Sequence, residues 1–354
     1  MALRAHGSRQ RALRLAIVLG LVAVVVGVVA SSAFSNPSTS SKKWVIGVSN
    51  TLVGNGWREE MICSAKAEAN ASGKVAKVIV ADRNGSAAEQ AADIRNLISA
   101  GANAILLDPA DPTSLNGVIA QAAARGIKVV SMDSTVTASQ AYNVANDQTK
   151  YGYLGALWLF KQMGGKGNVV EMRGIAGATA DTDRHNGFEQ ALKKYPGIKV
   201  VKSTFTGWQY ASGGKQMLDI LNSGVKVDGV WTSGIDYTVV NAFKTAGKRL
   251  VPIVGADNNQ FLKQMLSQYP TLKGAAVTNP ATIGGAAMNA ALKLLAGQSV
   301  PKTQLLTPQV WSMPGSKAIM TKFYSPKLPP TYSDTLQIPG HTTYSIAQLN
   351  KACK

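Results

Sequence analysis

The chain is predicted to fold as two α/β lobes, each a doubly wound parallel sheet, joined by a hinge of three crossings. Three observations carry this prediction. The 354 residues exceed the roughly 250 to 300 that one core accommodates. Short, wholly apolar strands alternate with helix-length segments, the pattern of a parallel sheet covered on both faces. A domain-scale repeat is also present. Residues 93–101, strand 104–107, a helix, Gly126 and strand 128–132 closed by Asp133 are echoed by 219–224, strand 229–231, a helix, Gly247 and strand 252–254 followed by Asp257. Ligands of open parallel sheets sit beyond the carboxyl ends of the strands, so facing halves would aim Asp133 and Asp257 into one crevice.

The N-terminus reads as an export segment. Arg4, Arg9, Arg11 and Arg14 precede an apolar run over 15–30 and the small residues Ser31-Ser32-Ala33, so 1–33 is expected to be a signal peptide. The run is long for a signal core and short for a full span of about 20 residues, which keeps an uncleaved anchor as the alternative. Either way the folded part is exported, to the periplasm or the outer face of the membrane. Ser-rich residues 34–43 read as a linker.

Lobe one is expected over 44–146 together with 279–310. Its elements are strand 45–49, helix 58–71, strand 76–81, a helix opened by the capping-box spacing of Ser86 and Glu89, strand 104–107, helix 114–125 and strand 128–132. Lobe two, 147–278, is expected to hold a helix to Met163, strand 168–172, helix 182–195, strand 198–203, the repeated unit and strand 275–278. Helix 282–296 and strand 304–310 return to lobe one, which places the crossings near Asn146-Asp147, Thr278-Asn279 and Val310-Trp311. Residues 311–354, punctuated by Pro314, Pro326, Pro329, Pro330 and Pro339, read as an extension wrapping back onto lobe one.

The net charge of +18 favours anionic surfaces, but the lysines are scattered and no basic stretch is interleaved with aromatics, so nucleic acid is not an expected partner. Cys63 and Cys353 are the two cysteines of an exported chain, an invitation to a disulfide tying the last turn to the first helix.

Signals of catalysis are poor. His185 and His341 lack neighbours at metal-ligand spacing, there is no G-x-S-x-G elbow or phosphate-binding loop, and neither a metal nor a cofactor is expected. Polyol recognition is better served. Carboxylates accept from adjacent hydroxyls, Arg and Asn donate, and flat aromatics cover the C–H face of a ring. Such residues fall at strand ends: Asn55, Trp57 and Arg58 after the first strand, Asp133 after the fourth, Arg184 and Trp208 in lobe two, and Asp257. One aspartate of Asp181-Thr182-Asp183 is expected to cap the helix whose first turn carries Arg184. Trp158 and Trp231 read as core.

Over roughly 45–310 the chain resembles the ribose-binding-protein-like periplasmic sugar-binding proteins of ABC transporters. The residues that carry the likeness are Asn55-Gly56-Trp57, 103–109, Met132-Asp133, 174–177, Arg184 with Gly187-Phe188, Gly255-Ala256-Asp257 and 280–284. The resemblance implies a type I periplasmic-binding fold and sugar contacts from Asn55, Trp57, Asp133, Arg184, Trp208 and Asp257. Departures stand at Ser134, in place of an arginine, and at Gly234, where the family has an asparagine and Asp236 lies close by. Thr278 and Asn279 replace a hinge glutamine. The expected function is an exported, monomeric binder that hands a small sugar or polyol to a membrane permease. A sensory receptor for a sugar, an autoinducer-like diol or a nucleoside is the alternative, and a DNA-binding regulator would need a helix-turn-helix where the export segment lies.

Overall fold

The computed structural model describes residues 43–354. The expected signal peptide, its alternative as an anchor and nearly all of the linker lie outside the described residues. In chain order the first lobe builds β1 (Trp44–Asn50), α1 (Gly56–Ser72), β2 (Val75–Asp82), α2 (Ala87–Ser99), β3 (Ala104–Leu107), α3 (Asn116–Ala124), β4 (Lys128–Asp133) and β5 (Tyr142–Asn146). There follow α4 (Gln148–Gln162), β6 (Lys166–Arg173), α5 (Thr179–Leu192), β7 (Gly197–Phe205), α6 (Tyr210–Asn222), β8 (Gly229–Thr232), α7 (Asp236–Thr245), β9 (Ile253–Ala256), α8 (Asn259–Gln268) and β10 (Gly274–Val277). The chain ends with α9 (Ile283–Leu295), β11 (Thr303–Leu306), β12 (Val310–Ser312), α10 (Lys317–Phe323) and α11 (Ile346–Ala352).

Among the described residues the strands form two six-stranded sheets, ordered β2-β1-β3-β4-β5-β11 and β7-β6-β8-β9-β10-β12. Every pair is parallel except the last, where β12 runs antiparallel to β10. The two orders are the same, so Asp133 at the end of β4 and Asp257 just past β9 occupy matching places on the fourth strand of each sheet. β3, β8, β9 and β10 are buried along their whole length, as their unbroken apolar character requires.

Local chemistry sets the helix ends. Ser86 accepts from the Glu89 N–H while the Glu89 carboxylate takes the Ser86 N–H, the reciprocal cap expected from their spacing. α5 starts three residues earlier than expected, because Asp181 is not its cap. Instead Asp181 accepts from the Gly174 N–H and the Arg173 guanidinium, both at 2.6 Å, and Arg184 moves to the second turn. α4 and α5 approach closely at two glycines. A Cβ at Gly152 would collide with the Arg184 carbonyl, and one at Gly187 with the Thr149 carbonyl, so the helix carrying Arg184 is seated backbone to backbone.

The expected strand over 304–310 is two strands in different sheets. Pro308 offers no N–H to continue a ladder, and the chain leaves β11 on the first sheet to enter β12 on the second. β5 was not foreseen, its sequence Tyr-Asn-Val-Ala-Asn lacking a clean apolar run. Crossings connect β5 to α4, β10 to α9 and β11 to β12. They are held to one another by the Asp147 N–H on the Leu306 carbonyl at 2.9 Å and the Thr278 N–H on the Gln309 carbonyl at 2.9 Å. The tail begins on lobe two, where Trp311 stacks on Phe323 at 5.2 Å, and then crosses a fourth time to lay α11 against α1 in a cluster with Cys63, Tyr344 and Leu349.

Candidate functional site

Between the carboxyl ends of the two sheets lies a cavity lined from both lobes. The lips are in contact. Leu52 of lobe one packs with Ala178, Ala180 and Trp208 of lobe two, and the Asn55 Nδ2 donates to the Trp208 carbonyl at 2.9 Å, so the lobes are closed on one another.

On the lobe-one wall, Asn55 caps α1 by accepting from the Arg58 N–H, which ties the loop after β1 to the helix. The Trp57 indole is fixed by its Nε1 donating to the Asn279 carbonyl at 2.7 Å. Arg58 is 8 % exposed, donates to Asn50 Oδ1 at 3.0 Å and forms an ion pair with Asp108. Its guanidinium carbon lies 5.9 Å from the Trp57 ring centre and 6.0 Å from that of Trp208. Asp133 offers Oδ1 to Asn146 and Gln148, each at 2.9 Å, and its Oδ2 takes no protein partner among the described residues.

Opposite stands Arg184, with Nε donating to Gln148 Oε1 at 2.7 Å and Nη1 to the Ser233 carbonyl and hydroxyl. Its guanidinium carbon is 4.1 Å from the centre of the Tyr151 ring. Gln148 therefore bridges the two charged groups, holding the Asp133 carboxylate with its amide and Arg184 with its carbonyl. Trp208 lies flat over Gly174, where a Cβ would run into the ring, and its Nε1 donates to Ser233 Oγ at 3.1 Å. Asp133, with φ 66°, and Trp208, with φ 53°, are the non-glycine residues in the left-handed region among those described, and both line the cavity. Such backbone costs about 1 kcal/mol or more and is concentrated where function requires it.

Asp257 also lines the cavity, but both its oxygens are engaged: Oδ1 by the Asn279 N–H at 2.8 Å, Oδ2 by the Ser333 and Thr335 hydroxyls, each at 3.0 Å. Asn279 also lines the cavity, its Oδ1 accepting from Gln148 Nε2 at 3.4 Å. Two expected contacts lie elsewhere. Asp236 is fully buried and accepts from the Tyr237 and Ala256 N–H groups and the Asn258 amide, which makes it a brace between α7 and β9 outside the cavity wall. Thr278 turns its hydroxyl to the Gln309 N–H at 2.8 Å, fastening two crossings of the hinge. Conversely Leu52, Tyr210, Ser233 and Asn258 line the cavity and were not singled out from the sequence. Ser233 and Asn258 follow β8 and β9, so the strand-end rule that found Asp133 would have found them. Cys63 and Cys353 are free thiols brought together in one cluster, where their mutual hydrogen bond lowers the Cys63 thiol pKa and raises that of Cys353.

Burial pushes the carboxyls of Asp108 and Asp236 up to about 7 and that of Asp334 to about 9, and raises Glu60 well above its ordinary value. A group that holds its proton more tightly when folded adds stability that is complete below its unfolded pKa, roughly 4, and is lost as pH rises through the folded value. The chemical-denaturation midpoint is therefore expected to fall between about pH 5 and about pH 8. A midpoint that climbs over that interval would mean these carboxyls are stabilised as anions instead.

Two α/β lobes shut on a cavity of carboxylates, guanidinium groups, amides and indole faces define a two-lobed solute-binding protein. Residues 46–299 match the family described as "Periplasmic binding protein domain", and the chain belongs to that family of solute-binding proteins, which are not enzymes. The xylitol-binding protein of Mycolicibacterium smegmatis is 32 % identical over 178 residues, 49 % of this chain and 51 % of that relative, so this match spans about half of the relative's length. The ribose import binding protein RbsB of Bacillus subtilis is 26 % identical over 277 residues, 76 % of this chain and 88 % of the relative. Among solved structures, an ABC transporter solute binding protein from Thermobispora bispora superposes with a TM-score of 0.75 at 32 % identity, covering 82 % of this chain and 90 % of that one. Among the described residues no helix is long and apolar enough to cross a membrane.

Proposed function

We propose that the chain is an exported solute-binding protein that captures a small sugar or polyol between its lobes and delivers it to an ABC transporter permease. The observation that carries this reading is the convergence of Asp133, Arg58, Arg184, Trp57, Trp208 and Asn279 from both sides of the hinge on one cavity. Asp133 Oδ2 accepts ligand hydroxyls, Arg58 and Arg184 donate, and the two indoles cover the C–H faces of the ring or chain. Asn55 holds the closed lips, and Asp257 completes the wall. A ligand touching both lobes stabilises the closed form, which the permease distinguishes from the open one. Relatives named for xylitol and ribose support the ligand class.

The same reading has 1–33 directing export, the binder acting as a monomer, and Cys63 and Cys353 bridging in the oxidising space outside the cell, so that the tail is fastened to α1. In this reading lobe one comprises 44–146 with 279–306, and lobe two 147–278 with 310–312. The test is a thermal-shift and calorimetric panel of ribose, xylitol, L-arabinose, galactose and myo-inositol. At least one is expected to raise the melting temperature and to bind one to one. A flat response across pentoses, hexoses, pentitols and inositols would overturn the reading.

A further inference from the structure

One residue of the cleft wall, Asp257, is held from behind by a segment outside the span that matches the family. Residues 333–335 of the tail lie across the hinge and touch both lobes. The Ser333 N–H donates to Glu60 Oε2 on α1 at 2.7 Å and the Thr335 carbonyl accepts from Thr282 at 2.7 Å. On the other side Ser333 pairs with Asn258 as an isolated antiparallel bridge, and the Asp334 N–H donates to the Asp257 carbonyl at 3.0 Å. Within this strap the two hydroxyls meet on one atom, Asp257 Oδ2. Ser333 is 1 % exposed and Asp257 fully buried, while Thr335 is half-buried.

We propose that the strap buttresses the ligand site, and that Ser333 and Thr335 are positioning residues holding the Asp257 carboxyl aligned as an acceptor. The inference rests on the solute-binding reading above. With Oδ2 filled by the strap and Oδ1 holding the Asn279 N–H, one acceptor direction on Oδ1 is left for a ligand hydroxyl. Asp257 thereby selects a single hydroxyl at a set angle.

The surroundings of Asp257 make these two donors matter. Glu60 on α1 and Asp334 on the strap face it, and burial together with the Asp257 charge makes both hold their protons more tightly, while Tyr151 on α4 is raised in part by the same charge. Arg58, Arg184 and Asp133 share the cavity. Burial raises the Asp257 pKa; the Asn279 N–H, then Thr335 and Ser333, pull it back down. Removing the hydroxyls removes that restraint, so the carboxyl takes up a proton at higher pH and becomes a weaker, uncharged acceptor for the ligand.

The test is calorimetry at about pH 5 and about pH 8 on the full chain, with the tightest binder among ribose, xylitol, L-arabinose, galactose and myo-inositol. Ser333→Ala/Thr335→Val is expected to lose about tenfold more affinity at the acid end than at the alkaline end, the scale of one hydrogen bond to a charged group, while Ser333→Thr/Thr335→Ser follows the parent. Should the double variant not fold, Thr335→Val alone, which keeps one donor, carries the same comparison. Equal losses at both pH values would overturn the inference and leave the solute-binding reading standing. No binding of any of the five by the parent would overturn both.

Discussion

Alanine at Asp133 is expected to weaken ligand capture by about 2–3 kcal/mol, a loss of thirtyfold or more in affinity. The carboxylate does two things at once. Its Oδ2 is the acceptor without a protein partner among the described residues, and its Oδ1 anchors Asn146 and Gln148. Since Gln148 in turn holds the Arg184 Nε at 2.7 Å, the change also releases the cation on the opposite wall. The backbone complicates an alanine, because φ of 66° is unfavourable for a residue with a plain Cβ. Asp133→Asn separates the effects. Asparagine tolerates the left-handed conformation and keeps the size, so its loss of affinity reports the exchange of the charged Oδ2 acceptor for an amide donor, free of backbone strain. Calorimetry on both variants is the measurement, and undiminished affinity in both would remove Asp133 from the site.

Asp108→Ala is expected to cost about 3–5 kcal/mol of folding stability, read from the denaturant midpoint, and to reduce ligand affinity with it. Asp108 is 1 % exposed and carries the ion pair of Arg58, itself 8 % exposed. Deleting the acid strands a guanidinium whose remaining hydrogen-bond partner among the described residues is the Asn50 side-chain Oδ1. Burial pushes the Asp108 carboxyl up to about 7 against the pull of Arg58, so the pair is held by geometry more than by abundant charge. A stability loss below about 1 kcal/mol would show that the two groups meet without ionisation and that Arg58 is held chiefly by Asn50.

Much of this architecture was legible in the residues. Two halves with the same order of short apolar strands follow from periodicity and from the repeat ending in Asp133 and Asp257, since those features depend only on what each strand must bury. That Asn55, Trp57 and Arg58 line the cleft was legible because they stand in a glycine-containing turn at a strand's carboxyl end, where parallel sheets place their crevice. What escaped is what depends on distant parts of the chain. Asp236 has the same chemistry as Asp257 and sits at a comparable strand end, yet its carboxylate is consumed by the backbone of β9 and by Asn258. Thr278 looks like a hinge contact to ligand and instead pins a neighbouring crossing. The partners of Asp257 Oδ2 come from 76 and 78 residues downstream, in a proline-rich tail with no periodicity to announce them.

The amide of Asn55 on the Trp208 carbonyl sets a limit on kinetics. It spans the mouth of the closed cleft, so an occupant leaves only after the lips have parted, whatever its own grip on the walls. Solutes of quite different affinity should then share one ceiling on their dissociation rate, fixed by the frequency of opening, and selectivity among weak binders will be expressed in how often they are trapped.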